Sequence, residues 1–402
     1  MNTRIGVGHS QKSHSKNAGI EAATSAITKG NIERPDFALI FCSGKHNPHE
    51  FHEGVQSVLG NIPMAGGSAL GIITGDFVGY EGFESGVTVI SSETLTFKTF
   101  AVGAINLDER KSGEALGRQI EKIADEKDNS LLVFYDSSKQ QNPPMLNFAT
   151  WLFEGLEAHL PKHITCGGGG LLGDMQLNTT YQFYNNEVRT QSVVAVLIGG
   201  NCNMHTTIMH GCKPSSAYLT ITKTHGPVVS EIDNRPALEV IDGLLGNNHG
   251  IKWKDFALFV TLGVNRGEKF EPFNERNYAN RLTLAVDEPS KSLIMFEPDL
   301  KEGDEVQLMR RSVDMDYIQS GIEDIRTKVN GNKPLFAFYI NCAGRAKPYA
   351  GVDFEDAEEV QKVLGSTVPL MGFYSGVEVA KVGGKLQPLD WTGVLCVISE
   401  RN

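Results

Sequence analysis

No stretch of this sequence approaches the roughly 20 consecutive apolar residues that a membrane-spanning helix needs. The N-terminal "MNTRIGVGHSQKSH" carries no long apolar run after Arg4, so neither a signal peptide nor a membrane anchor is expected. Positive charge is in deficit: 37 Lys and Arg face 48 Asp and Glu, formally −11. That balance argues against a nucleic-acid or anionic-membrane partner. The six cysteines, at 42, 166, 202, 212, 342 and 396, form no Cys-x-x-Cys pair. They read as reduced thiols of a cytoplasmic protein rather than a disulfide frame. No glycine run continues into Gly-Lys-Ser/Thr, and no Gly-x-Ser-x-Gly elbow is present, which leaves P-loop and hydrolase chemistry without their signatures. The glycine runs also follow helical stretches, the wrong context for a dinucleotide fingerprint.

What the chain does have is repetition. At 402 residues it exceeds what one core usually supports, so two or three domains are expected. An apolar run, "DFALIFCSG" (36–44), precedes a helical segment, the glycine phrase "IPMAGGSALG" (62–71) and a closing strand, "GVTVIS" (86–91). The same order recurs in "PLFAFYINCAGR" (334–345), "FEDAEEVQKVLG", "VPLMGFYSGVE" (368–378) and "GVLCVIS". A looser copy runs from "SLLVFYDSS" (130–138) through "HITCGGGGLLG" (163–173) to "SVVAVLIGG" (192–200), and a degenerate fourth opens at "DFALFVTLG" (255–263). Continuous apolar strands bounded by Gly or Ser predict sheets buried on both faces. The reading is α/β: two related halves built from repeated strand–helix–strand modules, with mixed sheets covered by helices. The break falls in "GNCNMHTTIMHGCKPSS" (200–216), and a helix is predicted to start near Asn234-Arg235-Pro236, since proline suits a first turn. The glycines are expected at helix-to-strand turns, where Gly66, Gly67 and Gly372 would jointly line a ligand recess; tight turns without a ligand are the alternative.

The pattern resembles the FIST family, with paired N- and C-terminal domains. The matching segments are "IPMAGGSALG", the junction "HGCKPSS" with "LTITKTHGPVVSEIDNRPALEVI", and "NCAGR" with "VPLMGFYSGVE". The resemblance implies an N-terminal domain over 1–205 and a C-terminal domain over 216–402. Two departures stand out: Val377 intervenes where the family usually reads Gly-Glu, and His210 stands where Gln is common. The family implies a ligand sensor rather than an enzyme. One branch of stand-alone members binds haem b, responds to nitric oxide and works beside a separate histidine kinase or cyclic-di-GMP enzyme. With no output domain after the last predicted strand, this chain looks like that arrangement. The alternatives are a cofactor-free receptor for an amino acid or similar small carboxylate and, third, a Cys-dependent enzyme.

Asn341, Cys342 and Arg345 should emerge at the carboxyl end of a buried strand, where α/β sheets bind ligands. Arg345 could grip a carboxylate, or a haem propionate, in bidentate fashion; otherwise it ties two loops together. Ser43, in the matching "FCSG", would face it across the repeat. Cys342 beside a cation could have a depressed pKa. His210 and His225, near the junction, are the candidate haem ligands, against an ordinary hydrogen-bonded role. His46, His49 and His52 cluster in "KHNPHEFH" without a matching carboxylate or Cys pair.

Overall fold

A computed structural model describes residues 3–80, 82–141, 144–246, 252–312 and 314–401. Three copies of one unit organise it. The first runs through strand Arg4–Ser10, helix Ser15–Gly30, strand Phe37–Cys42, helix Pro48–Leu59, and strands Met64–Ser68 and Ser85–Ser91. The second uses Leu95–Val102, Glu109–Ile123, Asp128–Asp136, Ala149–Glu157, Thr165–Leu171 and Val193–Gly200 in the same order. The third uses Cys202–Met209, Asp316–Val329, Pro334–Cys342, Asp356–Leu364, Leu370–Ser375 and Gly393–Glu400. In each, the two strands joined by the second helix are parallel, and the closing strand returns antiparallel beside the first of them.

Local chemistry explains the elements. "FALIFC" is buried at every position, as a strand covered on both faces must be. The Asn47 side chain accepts the first free amides of the following helix, His49 N and Glu50 N, and Pro48 occupies a first-turn position where its missing N–H costs nothing.

Each unit also lends a hairpin strand to another. Ile72–Thr74 of the first pairs with Leu370–Ser375 of the third. Val377–Val382 of the third pairs with Thr165–Leu171 of the second, and Gln182–Tyr184 of the second pairs with Met64–Ser68 of the first. This cyclic exchange closes the three sheets around a shared core in which Phe41 stacks on Phe373 at 4.7 Å and meets Phe134 edge-on at 5.2 Å.

The glycine phrases lie in strands rather than turns, and this corrects the recess expected of them. Gly66, Gly168 and Gly372 occupy one equivalent position, opposite Ile40, Val133 and Tyr339. A Cβ at any of them would collide with the carbonyl oxygen of that opposing residue, and one on Gly67 would strike Leu171 and the Tyr181 carbonyl. The phrase repeats because three backbones must approach equally closely, so Gly66, Gly67 and Gly372 face packed protein instead of a hollow.

The expected fourth copy is something else. Its opening residues form the short helices Trp253–Phe256 and Ala257–Phe259. The strands that follow join a barrel in the order Glu305–Arg311, Leu219–His225, Val228–Ile232, Ser292–Met295, Tyr278–Asp287, Thr261–Asn265 and back to Glu305–Arg311. Every neighbour is antiparallel, and closure leaves no edge in this ring. Ile221, Val229, Leu262 and Leu293 fill the interior. The barrel is inserted in the third unit, between Cys202–Met209 and Asp316–Val329. Because Cys202–Met209 pairs along Gly393–Glu400, a boundary at 205 falls inside a strand that the last strand of the chain completes. The helix expected near Asn234 begins at Ala237, directly after Pro236. Among the described residues, no helix is long and apolar enough to cross a membrane.

Candidate functional site

At the carboxyl ends of Asp128–Asp136 and Pro334–Cys342 the second unit, the third unit and the barrel enclose a cavity of about 330 Å³. That is the small end of the range usual for small-molecule sites. Its walls are mostly apolar, with Leu172, Leu282, Phe296 and Trp391 among them. The polar groups in it are few: Ser137 and Asn147 from the second unit, Arg311 from the barrel, and Cys342, Ser375 and Asp390 from the third unit.

Arg311 ends the barrel strand Glu305–Arg311. Its guanidinium carbon lies 3.2 Å from the centroid of the Trp391 ring and 5.2 Å from that of Phe259. One nitrogen, Nη2, donates to the Leu258 carbonyl at 2.7 Å. Nε and Nη1 are shut off from water and have no hydrogen-bond partner among the described residues. Burial, which disfavours the charged form, lowers its pKa to about 10, so it remains a cation at neutral pH. Trp391 is itself unusual: its φ of +50° is left-handed, strained for a bulky aromatic residue.

Asn147, 2% exposed, is locked in orientation. Its Nδ2 donates to the Asp136 carbonyl at 2.8 Å and to Gln191 Oε1 at 3.3 Å, and Gln191 in turn donates to the Ser138 carbonyl at 2.7 Å. Asn147 Oδ1 is left without a donor, and so is Ser137 Oγ. Unpaired buried polar atoms are uncommon and costly. That several converge on one cavity is what makes it the candidate site.

Three buried carboxyls back the cavity. Glu378 accepts from Ser375 Oγ at 2.7 Å and from Thr392 N at 3.2 Å; Asp390 accepts from Leu282 N at 2.9 Å. Glu297 of the barrel accepts Ala149 N at 3.1 Å and Thr150 N at 2.9 Å. It thereby caps helix Ala149–Glu157, whose own N-cap residue Phe148 offers no side-chain acceptor. Burial first, then neighbouring Asp390, push Glu297 up to about 8. Burial raises Asp390 to about 6 and drives Glu378 well above the usual range.

Of the residues singled out from sequence, Cys342 lines this cavity. Its thiol is deeply buried and its pKa is pushed up by that burial, the reverse of an activated thiolate. Arg345 is the main correction. Its five N–H donors go to Asp356 (Nε 2.9 Å, Nη2 2.5 Å), the His210 carbonyl (2.9 Å), the Trp391 carbonyl (3.0 Å) and the Tyr317 hydroxyl (2.7 Å). None is left for a ligand carboxylate. Asn341 belongs to the same network, donating to Asp356 at 2.8 Å. Ser43 does not face Arg345: its hydroxyl donates to the Gly82 carbonyl at 2.9 Å in the first unit.

Neither of the two candidate haem ligands is placed to bind one at the cavity. His210 is buried, its Nδ1 accepts Cys212 N at 2.9 Å, and its Nε2 donates to the Glu275 carbonyl at 3.1 Å. Burial lowers its pKa. Both ring nitrogens are thus engaged by backbone, which leaves no lone pair for iron. His225 is exposed at the turn between strands Leu219–His225 and Val228–Ile232, and neither lines the cavity. His46 contacts Ser15 and the Phe83 carbonyl, and His52 the Asn185 carbonyl. Among the described residues no group of three or more His, Cys, Asp or Glu is placed to hold a metal ion.

Arg311 and Asn147 escaped the sequence reading, although signals existed. "MRR" ends an amphipathic strand directly before a helix, and "DSS" (136–138) stands in the second unit where "NCAGR" stands in the third.

A model of the FIST N domain matches residues 36–235, and one of the FIST C domain matches 237–381. An uncharacterized protein of Mycobacterium bovis is 24% identical over 398 residues, covering 95% of each chain. An uncharacterized protein of Mycobacterium tuberculosis is 25% identical over 394 residues, 95% of this chain and 96% of its own. Among solved structures, a cyanuric acid hydrolase from A. caulinodans superposes along the whole of both chains with a TM-score of 0.37 and 8% identity.

Proposed function

This chain belongs to the FIST family, whose domains are ligand-sensing signalling modules, and from that premise we propose that it is a non-catalytic receptor for a small carboxylate, bound in the cavity between the barrel and the second and third units. The observation that carries the reading is Arg311, a half-buried cation whose Nε and Nη1 are shut off from water and unsatisfied among the described residues, in a mostly apolar cavity. A charged hydrogen bond to a carboxylate there contributes about 1.5–3 kcal/mol. The cofactor-free alternative therefore has more support than haem, since no histidine lines the cavity among the described residues.

Signalling needs two states of unequal affinity. In the state described here, the Arg311 guanidinium carbon lies 3.2 Å from the centroid of the Trp391 ring, and Nε and Nη1 are screened from water. A carboxylate reaches them as the guanidinium slides off the ring. Trp391 is tied through its carbonyl to Arg345, and Arg345 to the His210 carbonyl at the start of the barrel connection. Displacement of the stack is thereby passed to the joint between barrel and third unit, where a separately encoded histidine kinase or cyclic-di-GMP enzyme reads it. The test is a thermal-shift screen of small carboxylic acids against wild type and Arg311→Met. Binding acids should raise the melting temperature of the wild type and not that of the variant. Equal shifts in both, or none with any acid, would remove the reading.

A further inference from the structure

Resting on that receptor reading, we propose that the ligand is a carboxylate with an apolar body and an uncharged hydrogen-bond donor, that is, a hydroxy acid or an N-acylated amino acid rather than a free amino acid. Three features of the cavity lead there.

The first is the locked amide. Asn147 donates to a backbone carbonyl, so its nitrogen and oxygen cannot exchange places. Oδ1 is an acceptor whatever occupies the cavity, and it has no donor. A ligand that pairs with it must bring an O–H or N–H. Ser137 Oγ, on the same wall beside the Tyr135 hydroxyl, accepts or donates as required.

The second is that, among the described residues, each carboxyl near the cavity already accepts a hydrogen bond from the protein, which weakens its hold on an ammonium group. Asp390 is engaged by Leu282 N, Glu378 by Ser375 and Thr392 N, and Glu297 by the amides of a helix N-terminus. Asp390 also sits in the field of buried Arg281. Burying an α-ammonium without an ionised partner is far more costly than burying a hydroxyl or amide that finds its acceptor.

The third is the rim. Leu258, Phe259, Leu284, Met175 and Tyr349 all border the cavity and are 38–47% exposed. An apolar opening of this kind suits a hydrocarbon body that extends from the buried polar end toward solvent.

The experiment is calorimetric titration of the full chain with two matched series. One comprises 3-phenyllactate, N-acetylphenylalanine, phenylalanine and 3-phenylpropionate; the other comprises the corresponding acids with an isobutyl side chain. The expected result is that the hydroxy or N-acyl acid of a series binds about five- to tenfold more tightly than the acid lacking a donor, as one hydrogen bond to a buried acceptor provides. Asn147→Leu removes that difference while leaving the donor-free acid bound. If Asn147→Leu does not fold, the O-methyl ether of 3-phenyllactate, which lacks the donor, should bind the wild type no more tightly than 3-phenylpropionate. Acids that bind in an Arg311-dependent manner with no preference for the donor overturn this inference and leave the receptor reading intact. Tightest binding by the free amino acid overturns it as well. If no acid of either series binds, both fall.

Discussion

Replacing Arg345 with methionine separates a structural arginine from a ligand-gripping one. The two side chains fill similar volume, so what changes is the polar network. Arg345 and Asp356 are 5% and 3% exposed. Removing the guanidinium strands Asp356 as a buried carboxylate with Asn341 Nδ2 (2.8 Å) as its main remaining donor, and it orphans two carbonyls and the Tyr317 hydroxyl. Breaking a buried ion pair from one side costs about 3–5 kcal/mol, and each orphaned acceptor adds about 1–3 kcal/mol where relaxation cannot bring water to it. Taking about 4 kcal/mol as the floor, and about 2–4 °C per kcal/mol for a domain of 150–250 residues, the melting temperature should fall by roughly 8–16 °C. Scanning calorimetry measures this directly. The double variant Arg345→Met, Asp356→Asn should recover part of the loss, because the stranded charge is gone. A single variant that melts within about 2 °C of wild type, or a double variant no better than the single, would refute the reasoning and return Arg345 to the list of free, ligand-facing groups.

Two further outcomes follow from the buried carboxyls and thiols. Glu297 is raised from 4.5 to about 8 in the fold, so its contribution to stability is complete below the unfolded value and is lost as pH rises through about 8. The effect is on the order of 4 kcal/mol, and Glu297→Gln, which keeps a carbonyl acceptor for the helix amides, should flatten the decline of melting temperature between pH 5 and 8 without lowering it at pH 5. A steeper decline in the variant would contradict this. All six cysteines are buried, and burial raises the pKa of every one of them. Titration with an aromatic disulfide reagent should therefore find no fast-reacting thiol until the chain is unfolded; rapid labelling of Cys342 in the native protein would revive a Cys-dependent activity.

Much of the architecture is written locally. Apolar runs such as "FALIFC" specify buried strands, Asn47-Pro48 specifies a helix start, and the thrice-repeated order specifies three alike units, because periodicity and capping act over a few residues. The degenerate fourth copy misled because "DFAL" looks like a strand when its neighbours are ignored; its partners in the barrel, not its own residues, decide where the strands of that region begin. Which hairpin completes which sheet, and that the glycines serve backbone contact rather than a ligand, depended on chain segments one to three hundred residues apart. The same holds for the two arginines. Nothing near Arg345 in sequence announces that it will meet Asp356, His210 and Trp391 together, and nothing near Arg311 announces that no acid will reach it. Whether a charged side chain is satisfied is a property of everything that surrounds it in space, and only the closed tertiary structure decides that.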